Sequence, residues 1–539
     1  MVGAAIGDCV HVAGLLNFFK LAEAEGYKTV FLGAAVPVEK LVGAAVEADA
    51  EAIAVSYRLD PGAAQSLFGV LRRELETNGL CDRLLLFGGT PPVAEEATAS
   101  EIFTKVFSGR EDVDEVIAYL RGGASAAAQV HYARNLVDRI EQKSPYPLIR
   151  HHFGLPSVAD TIAGIEAIAS EEVVDVISIG PDQNAQEHFF HPEEMDPLQD
   201  GAGGVPLRSR EDFCGLYQAS QRGNYPLLRC YSGTTDLVAM AQLLQETINN
   251  AWAAVPLFWY NQMDGRSQRT LLEAIQENQQ VMTWHGECGI PVEVNEAHHW
   301  SLRDAHDVIA VVASFLAAYN AKKAGVKDYV AQLMFNTPPM TAPVMDLAKM
   351  MAKLDLVQEL ACKDFTVYRQ VRAGLSSFPA DLDVAKGHLA SSLQTAMVLS
   401  PHLVHVVGYC EAVHIARAED VIASCRIARG VLRNVLDGLP RVDHDERLRT
   451  RRLQLVDEAR YLLDRIWALG ATRVEDPWSC AQILEETVRA GLMDAPHLKN
   501  SAIAQGRLQT RVIDGACQAV GTDGMPISER ERVASLSFD

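Results

Sequence analysis

The segment "VGAAIGDCVHVAGLLNFFKLAEAEGYKTVFLGAAV", residues 2–36, reads as strand, loop, helix and strand, with a histidine set in the loop. Val2 to Ile6 is a run of small and β-branched residues that suits a buried strand. Leu15 to Ala24 carries apolar residues at helical spacing until Gly26 stops it. Thr29 to Leu32 reads as the next strand. A parallel βαβ unit places its first loop at the carboxyl end of the sheet, the edge at which doubly wound folds bind ligands. His11 therefore lies on a ligand-binding edge.

Counted from His11, glycines fall three, fifteen and twenty-two residues on, at Gly14, Gly26 and Gly33. This spacing resembles the corrinoid-binding domains of cobalamin-dependent mutases and methionine synthase, whose pattern is Asp-x-His-x-x-Gly followed by two glycines at those intervals. The resemblance implies that His11 ligates cobalt from below, in place of the cofactor's benzimidazole, which then slides between the sheet and its helices. Ser56, in the segment "AIAVSY", matches the family's serine that meets the benzimidazole. Gly88 and Gly89, ending "LLLFGG", match the glycine pair that lets the nucleotide lie against backbone. With "VFSGREDVDEVIAYL" as closing helix, the resemblance spans residues 2–120. The family's aspartate, two residues before the histidine, hydrogen-bonds its far nitrogen and raises its basicity. That place is Cys9 here, and Asp8 is one residue early. Either the loop bulges to bring Asp8 in, or His11 holds cobalt more weakly.

The remaining 400-odd residues have ample apolar material, since 48% of the 539-residue chain is hydrophobic and 22% charged. Lys and Arg total 48 against 70 acids, a net charge of −22 that would repel a nucleic-acid partner. No apolar stretch has membrane-spanning length, and the amino-terminal run has no basic start, so a cytoplasmic protein without a signal peptide is expected. Ten cysteines without a CxxC pair read as reduced thiols, with no disulfide or zinc site.

After Leu120 the small-residue stretch "RGGASAAAQ" and the charged, helix-like "HYARNLVDRIEQKS" read as a linker over 123–147, closing a first domain at 1–122. From 148 to 440 short apolar runs alternate with amphipathic segments, the pattern of a TIM barrel. The strand candidates are "VVDVISIG", "YPLLRCYSG", "VPLFWYN", "IPVEVNE", "YVAQLMFN" and "HLVHVVGY", and their closing residues are polar: Asp182, Gln183, Arg229, Tyr260, Asn261, Asn295, Glu296, Asn336 and Glu411. Chemistry in barrels sits at those carboxyl ends. Residues 441–539 read as a mostly helical extension, with "RRLQLVDEARYLLDRIWALG" its clearest helix.

Through "LLRCYSGT", "WYNQ", "CGIPVEVNE", "KKAGVKDYV", "CEAVHIARAEDV" and "VRAGLMDAP", residues 148–520 resemble the large subunit of glutamate mutase, with the small cobalamin-binding subunit's equivalent fused in front. The resemblance implies an α/β protein, with a flavodoxin-like doubly wound cobalamin domain before a TIM (β/α)8 barrel, and an adenosylcobalamin-dependent radical mutase acting on a small carboxylic acid. It also implies a homodimer. In the family three arginines grip the substrate carboxylates, because a guanidinium fork matches a carboxylate bidentately. Arg229 matches one, Arg150 in "PLIRHH" supplies a second, and the third place is Gln186. The family's amine-binding glutamate falls on Ala254, its substrate-facing tyrosine on Tyr260, and a second tyrosine on Asp264. Of the lysine and glutamate that hold the adenosyl ribose, Val407 replaces the first and Glu411 keeps the second. Without the glutamate an ammonium loses its partner, so glutamate is not the expected substrate. The same departures leave open a corrinoid protein with a repurposed barrel, a methyltransferase or ligand-binding module without radical chemistry. Read as a strand, "EAHHWSLRDAH" points His298 and His299 to opposite faces and forms no metal site, though either could line the pocket.

Overall fold

A computed structural model of the chain describes residues 1–111, 113–121, 132–436, 438–439, 442 and 444–536. They divide into two units, residues 1–131 and 132–539. Of the expected linker, residues 123–131 lie outside the described residues, and the remainder contains a helix, Leu136–Lys143, started by the Asn135 side chain accepting from the Asp138 N–H.

The first unit is a parallel sheet of β1 (Val2–Ala5), β2 (Val30–Phe31), β3 (Ala52–Tyr57), β4 (Leu84–Gly89) and β5 (Lys105–Phe107), in the order β2-β1-β3-β4-β5. The strands alternate faces with period two. Ile53, Val55, Leu85 and Phe87 pack against the helices at residues 38–47, 61–77 and 91–99. On the other face Ala54 and Leu86 meet Leu15 and Phe19 of the helix Ala13–Ala24. Toward the carboxyl ends this second face carries only small side chains, with Ser56 in register between Ala5 and Gly88. Sheet and helix cannot close there, and a cavity of about 560 Å³ remains.

The second unit contains a barrel of eight parallel strands: β6 (Leu148–Phe153), β7 (Val176–Ile179), β8 (Leu227–Cys230), β9 (Ala253–Val255), β10 (Val292–Val294), β11 (Asp328–Phe335), β12 (Thr366–Ala373) and β13 (Leu403–Val406). Neighbours in sequence are neighbours in the sheet, and β6 pairs with β13. Between β8 and β9 the ladder is thin: the Ala251 N–H donates to the Leu228 carbonyl at 2.9 Å and the Ser232 N–H to that of Ala254 at 3.5 Å. The barrel is thus nearly closed. Its floor is apolar, with Leu148, Val176, Leu227, Val330 and Leu403 packed against Leu136 of the preceding helix. One residue pair higher, the inward positions turn polar.

Two strands, β6 and β12, fall outside the runs that read as strands, because "LIRHHF" and "TVYRQVRA" put arginine, histidine and glutamine at inward positions. "VPLFWYN" is corrected in the opposite direction. β9 ends at Val255, and residues 257–260 leave the barrel in a loop whose Leu257 and Phe258 N–H groups donate to buried Glu296. "EAHHW" is likewise a short helix, Ala297–Ser301, and not a strand, so the rings of His298 and His299 lie 4.4 Å apart.

The carboxyl-terminal region is largely helical, with helices Glu446–Gly470, Ala481–Arg489 and Glu529–Ala534 and one hairpin, β14 (Thr510–Ile513) with β15 (Ala516–Ala519). Leu455, Ala459 and Leu462 share a core with the barrel helix Asp307–Lys323, which is buried on nearly every side and apolar all round for that reason. Arg451 and Lys349 both reach Asp307, at 3.0 and 3.3 Å, fixing the extension to the barrel by a buried charge cluster.

The helix Val158–Ser170 packs on β6 through Gly164, where an added Cβ would lie 2.3 Å from the Phe153 ring. Gly164→Ala should destabilise the second unit by about 1–2 kcal/mol in urea unfolding, overpacking outweighing the helix propensity gained. Adding Phe153→Leu should recover part of that loss.

Candidate functional site

The cavity of the first unit is walled by Leu15, Phe18 and Leu21 of the first helix, by Leu86 and Phe107, and by polar groups at its rim that include Ser56, Ser108 and Glu111. Gly14, Gly88 and Gly89 line it too. A Cβ built on Gly14 or Gly88 meets nothing within 4 Å, whereas one on Gly89 would strike the Phe87 ring and the Tyr57 carbonyl, each at 2.7 Å. Gly88 leaves room in the cavity, and Gly89 is required by packing. His11 is exposed in the loop before the helix, and Cys9 is buried beneath it with Sγ 4.0 Å from His11 Nδ1. Asp8 is exposed and, among the described residues, makes no hydrogen bond to His11. The thiol thus occupies the partner position.

In the barrel, the polar layer above the floor is built on one carboxylate. Glu293 Oε2 lies 3.3 Å from Arg150 Nη1 and 3.5 Å from Arg229 Nη2, and accepts from Trp252 Nε1 at 2.8 Å. Arg150 also donates to Ser178 Oγ at 2.6 Å and to Gln370 Oε1 at 2.7 Å. Arg150 is 1% exposed and Arg229 0%. Burial pushes the Glu293 carboxyl up, but Arg229 and Arg150 outweigh it and hold it below the usual range. Burial, and then Arg229, pull Arg150 down to about 9. Two guanidinium groups against one carboxylate leave a net positive interior. Among the described residues Arg229 Nε and Nη2 have no hydrogen-bond partner.

Above this layer opens a cavity of about 540 Å³ at the carboxyl ends of β6, β12 and β13. Its walls include His151, His152, Gln186, Tyr231, Arg372, His405 and Glu411. Tyr231 stacks on His152 at 5.4 Å, and the Arg229 guanidinium lies 5.0 Å from the Tyr231 ring. Arg229 and Arg150 therefore sit behind the cavity wall, and the guanidinium that faces the space is Arg372. Its Nε donates to its neighbour's carbonyl at 3.3 Å, and among the described residues neither Nη has an acceptor.

Among the wall histidines, His151, His152 and His405 are held in the neutral form. Burial, with the nearby arginines, lowers His151 to about 4 and His152 and His405 well below 6.5. Arg150 can only donate, so the 3.1 Å contact makes His152 Nε2 an acceptor and puts the proton on Nδ1. His151 Nδ1 faces the His152 carbonyl at 2.5 Å and must donate, which leaves its Nε2 an acceptor without a protein partner.

The residues singled out from the sequence divide between cavity and scaffold. Gln186 and Val407 line the cavity, as does Glu411, which lies within electrostatic reach of Arg372. Gln186 Nε2 donates to the Pro181 carbonyl at 2.8 Å. Tyr260 stands in the loop after β9 with φ +67°, its hydroxyl 3.4 Å from His299 Nε2, and burial raises its pKa. Asp264 accepts from the Asn261 N–H at 3.0 Å and pairs with Arg303 at 3.4 Å, so it holds that loop in shape. Ala254 lies in β9, its carbonyl accepting from Ser232 Oγ at 3.0 Å. Arg372, His151, His152, His405 and Tyr231 were not singled out beforehand. The alternation of "TVYRQVRA" was the available signal, since it puts Arg372 at the end of an inward-facing set.

The family model of the methylaspartate mutase E chain matches residues 256–535. No curated protein matches the chain significantly. Among the described residues no helix is long and apolar enough to cross a membrane.

The buried histidines make an acid-sensitivity that can be measured. Their folded pKa values lie below 6.5, so from about pH 6.5 down to about pH 4 the unfolded chain binds more protons and stability falls with pH. Each such group contributes up to about 1.4 kcal/mol per pH unit. Urea midpoints should be flat above about pH 7 and fall below about pH 6, and replacing His151 with Gln should reduce the slope.

Proposed function

Because the chain belongs to the methylaspartate mutase E chain family, we propose that this isomerase is an adenosylcobalamin-dependent carbon-skeleton mutase acting on a small carboxylic acid that carries no amine. The first unit is read as its own cobalamin-binding domain. Its strand order is that of flavodoxin-like folds, in which ligands bind at the carboxyl edge beside β1 and β3. His11 would be the lower cobalt ligand, backed by Cys9, with the nucleotide tail between Gly14, Ser56 and Gly88. Bound there, the cofactor supplies radical chemistry through its cobalt–carbon bond.

The observation that carries the substrate reading is the open fork of Arg372 in a cavity whose walls hold one carboxylate, Glu411. A substrate carboxylate accepts from the two Nη groups, and the positive interior behind the wall adds to the attraction. Arg150 and Arg229 set that field from behind. Gln186 and the neutral imidazoles of His151 and His152 offer uncharged donors and acceptors to the rest of the molecule. At the family's amine-binding position this chain has Ala254, so an ammonium would have to compete with Arg372 for Glu411, the one carboxylate among the described wall residues. Walls of this kind exclude water from the reacting centre, which a radical reaction needs.

The apoprotein should bind adenosylcobalamin in preference to methylcobalamin, and the reconstituted enzyme should isomerise a non-amino acid from a panel followed by NMR, leaving glutamate unchanged. Conversion of glutamate to methylaspartate would refute the substrate reading, and equal binding of both corrinoids with no turnover of any acid would refute the mutase. Arg372→Lys keeps the charge and loses the fork, so kcat/KM should drop about 10- to 150-fold, the worth of one or two charge-assisted hydrogen bonds.

The tail slot has its own test. Gly88→Leu should leave the melting temperature of the apoprotein unchanged and abolish cobalamin binding, since the new side chain enters open space. Gly89→Ala should instead lower the melting temperature.

A further inference from the structure

The loop that leaves β13 carries a second cluster of donors. Within it the N–H groups of Val413 and His414 donate to the Cys410 carbonyl at 2.8 and 3.1 Å, so residues 410–414 form one helical turn. A four-residue step on a helical turn brings two side chains to one face, here Cys410 and His414. Asp420 stands in the first turn of the following helix, Ala418–Leu436. Its Oδ2 accepts from the Arg417 N–H at 3.0 Å and its Oδ1 from the Tyr409 hydroxyl at 2.9 Å, which fixes the carboxylate in place. His414 Nδ1 lies 3.0 Å from the Ile415 carbonyl and 3.7 Å from Asp420 Oδ2. One donor atom each from Cys410, His414 and Asp420 lie within 4.8 Å of one another.

We propose that Cys410, His414 and Asp420 bind a divalent zinc ion. A sulfur, an imidazole nitrogen and a carboxylate oxygen form a borderline-soft set that suits zinc and disfavours magnesium and calcium, which take all-oxygen shells. Three protein ligands leave a fourth position for water. Cys410 and Asp420 are buried and His414 is exposed, so the ion would enter from the solvent side and join the turn to the helix behind it. That turn includes Glu411 and forms one wall of the barrel cavity, so the metal would hold the wall in one conformation. The spacing Cys-x3-His with an aspartate six residues on has no CxxC element, which is why a search for paired cysteines passes over it.

The test uses the full-length chain purified without corrinoid, stripped with a chelator and titrated with Co²⁺ and then Zn²⁺. One equivalent of Co²⁺ should give a thiolate charge-transfer band and intense tetrahedral ligand-field bands, all displaced by one equivalent of Zn²⁺. Cys410→Ser should remove the charge-transfer band. His414→Ala, a change at an exposed side chain, should keep the metal-free melting temperature and weaken Zn²⁺ at least about tenfold in competition with a chromophoric chelator, because even the outer partners of metal ligands are worth that much. Failure to bind one equivalent of either metal would overturn the proposal. So would bands and affinity unchanged in both variants, which would place the ion on other thiols.

Discussion

The barrel depends on Glu293. A carboxylate at the centre of a nearly closed barrel is expensive to desolvate, and it persists because Arg150, Arg229 and Trp252 all converge on it. Removing it would leave two guanidinium groups buried without a counter-charge, a loss of about 3–5 kcal/mol. The compensation is deliberately incomplete in sign, with two positive groups for one negative. The layer above therefore sits in a positive field, which adds to burial in keeping His151, His152 and His405 neutral. An apolar interior of the same volume would be at least as stable, but it would give Arg372 no reinforcing charge behind it.

The first unit solves a different problem by omission. One face of its sheet is filled by Ile53, Val55, Leu85 and Phe87, while the other narrows to Ala54, Ser56 and Gly88 toward the carboxyl edge. The filled face supplies the stability and the bare face supplies the space. Cys9 belongs to the same economy: a buried thiol packs where a carboxylate would need hydrogen-bond partners, and in exchange His11 receives a weak partner in place of a strong one.

Legibility from the sequence followed burial pattern. "AIAVSY", strand-like in the sequence, is β3 with those bounds, because a buried parallel strand is a continuous apolar run. In the barrel the same rule worked for "YVAQLMFN" and failed for "LIRHHF" and "TVYRQVRA", whose inward positions are charged for the sake of the site. Tyr260 and His298 were misplaced for a shared reason. Buried Glu296 draws the Leu257 and Phe258 N–H groups out of the strand pattern, a long-range capture that no local window reveals. Arg372 was hidden with its strand, so the guanidinium that faces the cavity was the one left unread.

The replaced positions are better understood together than singly. Gln186 takes the place of a cation and Ala254 that of an anion, so relative to the family's pattern the site has lost one charge of each sign. Both losses bear on the ligand the proposal excludes: a zwitterion with a second carboxylate would be deprived of one anionic and one cationic anchor, while a monocarboxylic acid that carries no amine would need neither. Val407 removes a further cation from the loop that keeps Glu411. What stays is Arg372 facing the cavity, with Arg150 and Arg229 behind it and held by Glu293. On the proposed reading, a cavity with one forward-facing cation, one carboxylate and the neutral imidazoles of His151, His152 and His405 would discriminate by charge before shape, which is why a monoanion is the proposed substrate.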